Sequence, residues 1–235
     1  MRFTARDVTQ RLFLHRGRNV EANQNEIQAF IPLMNLTKNS SYDLSMNFVG
    51  TIGLSGGPRQ LQYTTPQNET RTSITFCSEK GATNGLRSLI PCLDGADYPA
   101  EFNILIQYNQ PFTAFSNFRR TYQQTSNLNS SLSSSYFNST FALNPADIAF
   151  ALVELKPQTT VVNGNITISL YYRQKILQSI SIDRVLQFMN DKSFNIGKLD
   201  VLSLPELDTA QVPGVSFLNE DSVRQENIDL GVTSP

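Results

Sequence analysis

From Tyr42 to Leu54 the chain keeps a period of two. Apolar side chains fall at Tyr42, Leu44, Met46, Phe48, Ile52 and Leu54, with Asp43, Ser45, Asn47 and Thr51 between them. Only an extended backbone sends alternate residues to opposite faces, so this run predicts a long, half-buried strand. The same alternation recurs at Ile27, Ala29, Ile31 and Leu33, at Ile74 and Phe76, at Phe102, Ile104, Ile106 and Tyr108, and at Ile166, Ile168, Leu170 and Tyr172. The last run follows Asn163-Gly164, a pair suited to a two-residue type I′ hairpin turn. "DIAFALVELKP" is apolar on both phases and reads as a central strand ended by Pro157, with Asn144-Pro145 ahead of it suited to capping a short helix.

Many strands separated by turn clusters predict an all-β fold, an antiparallel β-sandwich of which the jelly roll is one form. Helix is scarce. The best helical spacing is in "SIDRVLQFMNDK", where Ile182, Val185, Leu186 and Met189 share a face, so one short helix is expected near residues 182–191. The aromatics Phe112, Phe115, Phe118 and Tyr122, spaced three, three and four apart, predict one face of another short helix against the core. The Ser/Asn-rich tract 123–140 predicts a long surface loop.

Charge divides the chain. Residues 1–25 carry Arg2, Arg6, Arg11, Arg16 and Arg18 against Asp7 and Glu21, whereas residues 191–235 carry eight acids against three bases. The resulting organisation is a basic N-terminal arm (1–25), a sandwich domain (26–190) and an acidic, extended C-terminal arm (191–235) broken by Pro205 and Pro213. Arms of opposite sign suit pairing between neighbouring subunits, with Arg2, Arg6, Arg11, Arg16 and Arg18 facing Glu206, Asp208, Glu220 and Asp221. Charged residues are only 17% of the whole, the net charge is −1, and Asn, Gln, Ser and Thr supply the polarity. Such a balance gives no reason to expect nucleic acid as a partner. The longest uncharged apolar run, Ile148 to Val153, is far too short for a membrane span, and Leu12-Phe13-Leu14 is too short for a secretory signal.

The one motif with catalytic form is Gly53-Leu54-Ser55-Gly56-Gly57, which fits G-x-S-x-G. An esterase elbow needs a helix after the serine and a histidine later in the chain. Gly57-Pro58 opposes a helix, and the single histidine, His15, comes earlier. A glycine-rich hairpin turn is therefore expected, with Ser55 not a nucleophile. One histidine and two cysteines without C-x-x-C spacing, Cys77 and Cys92, exclude the common zinc motifs, and the cysteines read as buried thiols. Six N-x-[ST] sequons, beginning at Asn35, Asn39, Asn68, Asn129, Asn138 and Asn165, are ascribed to chance in so Asn- and Ser-rich a chain. Asp94, Asp97 and Glu101 form an acidic loop of calcium-binding residue types without EF-hand spacing, and a solvated turn is the simpler reading. No catalytic residue, metal or cofactor is expected. The reading is a non-enzymatic assembly protein of the viral capsid or virion-accessory kind, binding protein subunits in a homo-oligomer or larger assembly. The alternative is a carbohydrate-binding or adhesive module, calcium-assisted, whose ligand surface would be Phe112, Phe115, Phe118, Arg119, Arg120 and Tyr122.

Overall fold

The computed structural model describes residues 3–7, 11–22, 25–32, 38–39, 42–46, 52–53, 57–65, 67–78, 85–90, 99–126, 130–157, 159–163, 166–173 and 197–220. The chain divides into two compact units, residues 1–50 and 51–235. In the first unit, β1 (Phe3–Asp7), β2 (Arg11–Ala22), β3 (Asn25–Pro32) and β4 (Tyr42–Met46) form an antiparallel sheet in the order β3-β2-β1-β4. The basic stretch expected as an arm is thus paired as strands. Register sets Arg6 between Arg11 of β2 and Asp43 of β4. The period-two run that begins at Tyr42 is strand as far as Met46; Ile52 and Gly53 stand in a turn.

The second unit holds β5 (Arg59–Thr64), β6 (Thr70–Cys77), β7 (Ile104–Asn109), β8 (Thr113–Ser116), β9 (Arg120–Thr125), β10 (Leu132–Phe137), β11 (Ala149–Val153), β12 (Thr159–Asn163), β13 (Ile166–Tyr172), β14 (Lys198–Leu204), β15 (Ala210–Val212) and β16 (Val215–Asn219). Two short 3-10 turns, Gly85–Ser88 and Pro145–Asp147, lie among the strands. The all-β class is as the alternation predicts. The strands make three sheets: a middle sheet β5-β6-β11-β8, an outer sheet β7-β10-β9, and a C-terminal sheet β12-β13-β14-β16-β15. The first two are antiparallel throughout, whereas β13, β14 and β16 run parallel to one another. A parallel pair requires a long crossover. The one between β13 and β14 contains residues 182–191, and the helix expected there lies outside the described residues.

β11 shows why the middle sheet is buried on both faces. Ala149, Ala151 and Val153 turn one way, into a core shared with Leu202, Leu204, Val215 and Phe217 of the C-terminal sheet. Ile148, Phe150 and Leu152 turn the other way, into a core shared with Tyr108 and Phe137 of the outer sheet. A strand between two cores must be apolar on both phases, as "DIAFALVEL" is. Each fully buried Leu, Val or Phe contributes roughly 1.5–3 kcal/mol. Upstream, Asn144 caps the turn Pro145–Asp147, its side chain accepting from the Ala146 N–H at 3.0 Å. Asn117, wholly buried, ties three segments together. Its amide donates to the carbonyls of Asp147 and Pro213, both at 2.8 Å, and its oxygen accepts from the Ala149 N–H at 2.9 Å.

Three expectations are corrected. Residues 112–122 are not helical: Phe115 lies on β8 and Tyr122 on β9, and the three-residue spacing records a strand, a bend and a second strand. The Ser/Asn-rich tract is not merely a loop, since it contains β10, the central strand of the outer sheet. Nor is residues 198–220 an arm, because β14, β15 and β16 supply much of the main core. Leu204, Leu207, Val212 and Val215 are at most 3% exposed.

Candidate functional site

The expected site residues scatter. Arg2 and Asp221 lie outside the described residues; Arg6 lies on β1, and Arg11, Arg16 and Arg18 lie on β2. Glu206 sits exposed in a turn at positive φ, and Asp208 forms an exposed ion pair with Arg59. Glu220 is the exception. It is 2% exposed and accepts from Arg173 Nε at 3.0 Å and Nη2 at 2.8 Å, while Arg173 also donates to the Thr64 carbonyl. This acid therefore joins the ends of β5, β13 and β16 instead of facing a neighbouring subunit. Asp94 and Asp97 lie outside the described residues, Glu101 is exposed, and no group of three metal-ligating side chains occurs among the described residues.

Ser55 also lies outside the described residues. Residues 52–53 before it and 57–65 after it are described. Gly53 has φ +92°, a conformation that favours glycine, and its N–H donates to the Pro58 carbonyl at 2.8 Å. The strand β5 then follows, where a nucleophile elbow would have a helix.

The aromatic and arginine stretch comes together in part. Phe115 enters the core under the C-terminal sheet; Phe118, with Phe112 partly buried beside it, enters the core under the outer sheet; and Tyr122 stands exposed. Phe115, Phe118, Arg119 and Arg120 all line one cleft of about 280 Å³. Its walls include β8 with Thr113 and Phe115, β13 with Thr167 and Tyr171, β14 with Lys198 and Asp200, and Phe137 of β10. β13 and β14 run in parallel register, Thr167 beside Lys198 and Tyr171 beside Leu202. Alternation then explains the polarity. Lys198 and Asp200 share a strand face with Leu202 and Leu204, so they occupy the cleft end of the same row that builds the core.

Lys198 is 7% exposed. Its ammonium donates to Asp200 Oδ2 at 2.6 Å and to the Ser116 carbonyl at 2.5 Å, the latter on edge strand β8. Burial pushes the Lys198 ammonium below the usual lysine range, outweighing the attraction of Asp200, and the charges of Arg119 and Arg120 press it the same way. Arg119 donates to the Gly197 carbonyl and to Thr167 Oγ1. Tyr171 packs edge-on to Phe115, with centroids 4.7 Å apart, and its phenol is raised by burial and then by Asp200. Three cations thus face one carboxylate over an aromatic wall. Sequence reading found Phe115, Phe118, Arg119 and Arg120 but missed Lys198, Asp200 and Tyr171. The Lys-x-Asp pair opening an otherwise apolar strand was the available signal, because residues two apart share a strand face.

The family profile of the Peptidase M1 N-terminal domain matches residues 14–144, more than half of the chain, from within β2 to the cap of the Pro145–Asp147 turn. No curated protein matches. The match overturns the capsid or virion-accessory reading and its carbohydrate-binding alternative. It overturns equally the expectation of a protein apart from any enzyme, since this domain is a part of M1 aminopeptidases, itself non-catalytic. Among the described residues no helix is long and apolar enough to cross a membrane. By this match the chain belongs to the Peptidase M1 N-terminal domain family.

Proposed function

We propose that these residues act as the non-catalytic β domain of an aminopeptidase of the M1 type, and that their working partner is a peptidase catalytic unit. The family match carries the reading. The sequence supports the division of labour, because the H-E-x-x-H motif of zinc metalloproteases needs two histidines and this chain has one, His15. No hydrolytic step is assigned to its side chains. The domain contributes sheets that support and position, which is what a β scaffold does beside a reacting centre.

Two measurements test it. The purified 235-residue chain, supplied with zinc, is expected to leave aminoacyl-4-nitroanilides intact. Chelator-sensitive hydrolysis by the chain alone would overturn the non-catalytic assignment. Cross-linking in native extracts, read by mass spectrometry, is expected to join it to a polypeptide bearing H-E-x-x-H, in cis or in trans. Cross-links to proteins without that motif alone would overturn the partner assignment.

A further inference from the structure

The cleft between β8 and the start of β14 has a composition that the scaffold role does not use. Its lining bears Arg119, Arg120 and Lys198 against Asp200 alone, a formal excess of two positive charges. The structural needs of the Lys198 ammonium are met on the protein side by Asp200 and Ser116. Arg119 is anchored to the Gly197 carbonyl, which fixes where its guanidinium stands. Arg120 begins β9 and is exposed. Arg119 and Arg120 are exposed and only Lys198 is buried, paired with Asp200, so the cleft presents two solvated guanidiniums that an incoming anion can meet.

Part of the lining is apolar. Phe115, Phe118, Phe137 and Tyr171 all border the same space. A site that pairs a cationic mouth with an aromatic wall matches a ligand having an anionic end and a hydrophobic body. At about 280 Å³ the space is at the small end for ligand sites, so the body is one ring or one branched chain. A planar guanidinium presents two parallel N–H groups that match the two oxygens of a carboxylate.

We propose that this cleft binds small carboxylic acids carrying an aromatic or branched apolar body, with the carboxylate at Arg119 and Arg120 and the body against Phe115 and Tyr171. The inference rests on the cleft itself and stands or falls independently of the peptidase reading.

Titration calorimetry of the full chain with 3-phenylpropionate, 3-phenylpropionamide and inorganic phosphate tests it. One-to-one binding of the acid is expected. The amide is expected to bind at least about tenfold more weakly, the cost of losing one charge-assisted pair. Arg120→Gln, an exposed change, should weaken the acid about tenfold and leave the melting temperature unchanged. Thr113→Phe, which fills the cleft from β8, should abolish binding, and a melting curve reports whether that variant is folded. Absence of acid binding, equal binding of the amide, or an unaffected Arg120→Gln would each overturn the proposal. Phosphate competing as well as the acid would overturn the assignment of an apolar body.

Discussion

At the scale of single residues, burial decides which charges matter. Glu220 and Asp208 look alike in the sequence, two acids in a C-terminal stretch rich in them. Asp208 meets Arg59 with both side chains more than half exposed, where solvent screens the pair and side-chain entropy opposes it. Glu220 meets Arg173 with side chains 3% and 14% exposed. Glu220→Ala would leave a nearly buried guanidinium without its carboxylate and is expected to cost about 3–5 kcal/mol, whereas Asp208→Asn should change stability by less than about 0.5 kcal/mol. Urea unfolding of the two variants separates them. Lys198 makes a pH-dependent counterpart. Its folded pKa lies below 10.5, so between that lowered value and 10.5 the unfolded chain holds a proton that the folded chain has released. Stability must therefore rise with pH through this window; the contribution is fully present above 10.5 and is lost as pH falls through the folded value. Tyr63 and Tyr171, whose phenols are raised by burial, act in the opposite direction but only from about pH 10 upward, near the unfolded tyrosine value. Urea midpoints measured as the pH is raised toward 10 should climb in the natural chain and climb less in Lys198→Met. Equal slopes would refute the role given to Lys198.

At the scale of elements, the strands that sequence shows clearly are those whose two faces differ strongly in polarity or are both apolar. β13 alternates Ile166, Ile168, Leu170 and Tyr172 with polar residues, and β11 is apolar throughout because cores lie on both its sides. β10 was hidden because its buried positions are serines. Ser133 and Ser135 are at most 1% exposed, and Ser135 shares a 2.8 Å hydrogen bond with the Tyr108 hydroxyl, so small polar groups fill an interior that hydropathy reads as surface. The opposite error arose at Phe112 to Tyr122, where a bend between β8 and β9 imitated helical spacing. The cleft was half legible for a related reason: Arg119 and Arg120 are adjacent in sequence, but Lys198 reaches them only through the parallel register of β13 and β14. Long-range register leaves no local trace. If β10 is a central strand and not a loop, Ser134→Pro must be damaging, since proline removes a ladder donor in a strand paired on both sides. A loss of roughly 3 kcal/mol or more is expected, read as a lowered thermal midpoint. The same change at Ser139, beyond the strand, removes a single N–H donated to Asn103 Oδ1 and the hydroxyl donated to the Phe141 carbonyl without breaking a ladder, and should cost less.

At the scale of the whole molecule, the family boundary and the fold boundary do not coincide. The match ends at residue 144, yet β11, which begins at Ala149, is the strand between β6 and β8 in the middle sheet. Ending the chain at 144 would strip both neighbours of their shared partner and remove the whole C-terminal sheet. With it would go Leu202, Leu204, Val215 and Phe217 from the main core, and Pro213, which accepts from Asn117. What stays behind is a set of sheet edges and apolar faces with nothing against them, the condition under which β proteins associate or stay molten. A chain of residues 1–144 is therefore expected to lack a cooperative unfolding transition and to bind a hydrophobic dye, while the 235-residue chain unfolds in a sharp step and does not. Adding residues 145–235 as a separate polypeptide should restore cooperativity in part, because β11 can still insert between β6 and β8. A truncated chain that melts as sharply as the full one would show that the matched region carries its own complete core, contrary to the sheet order described above.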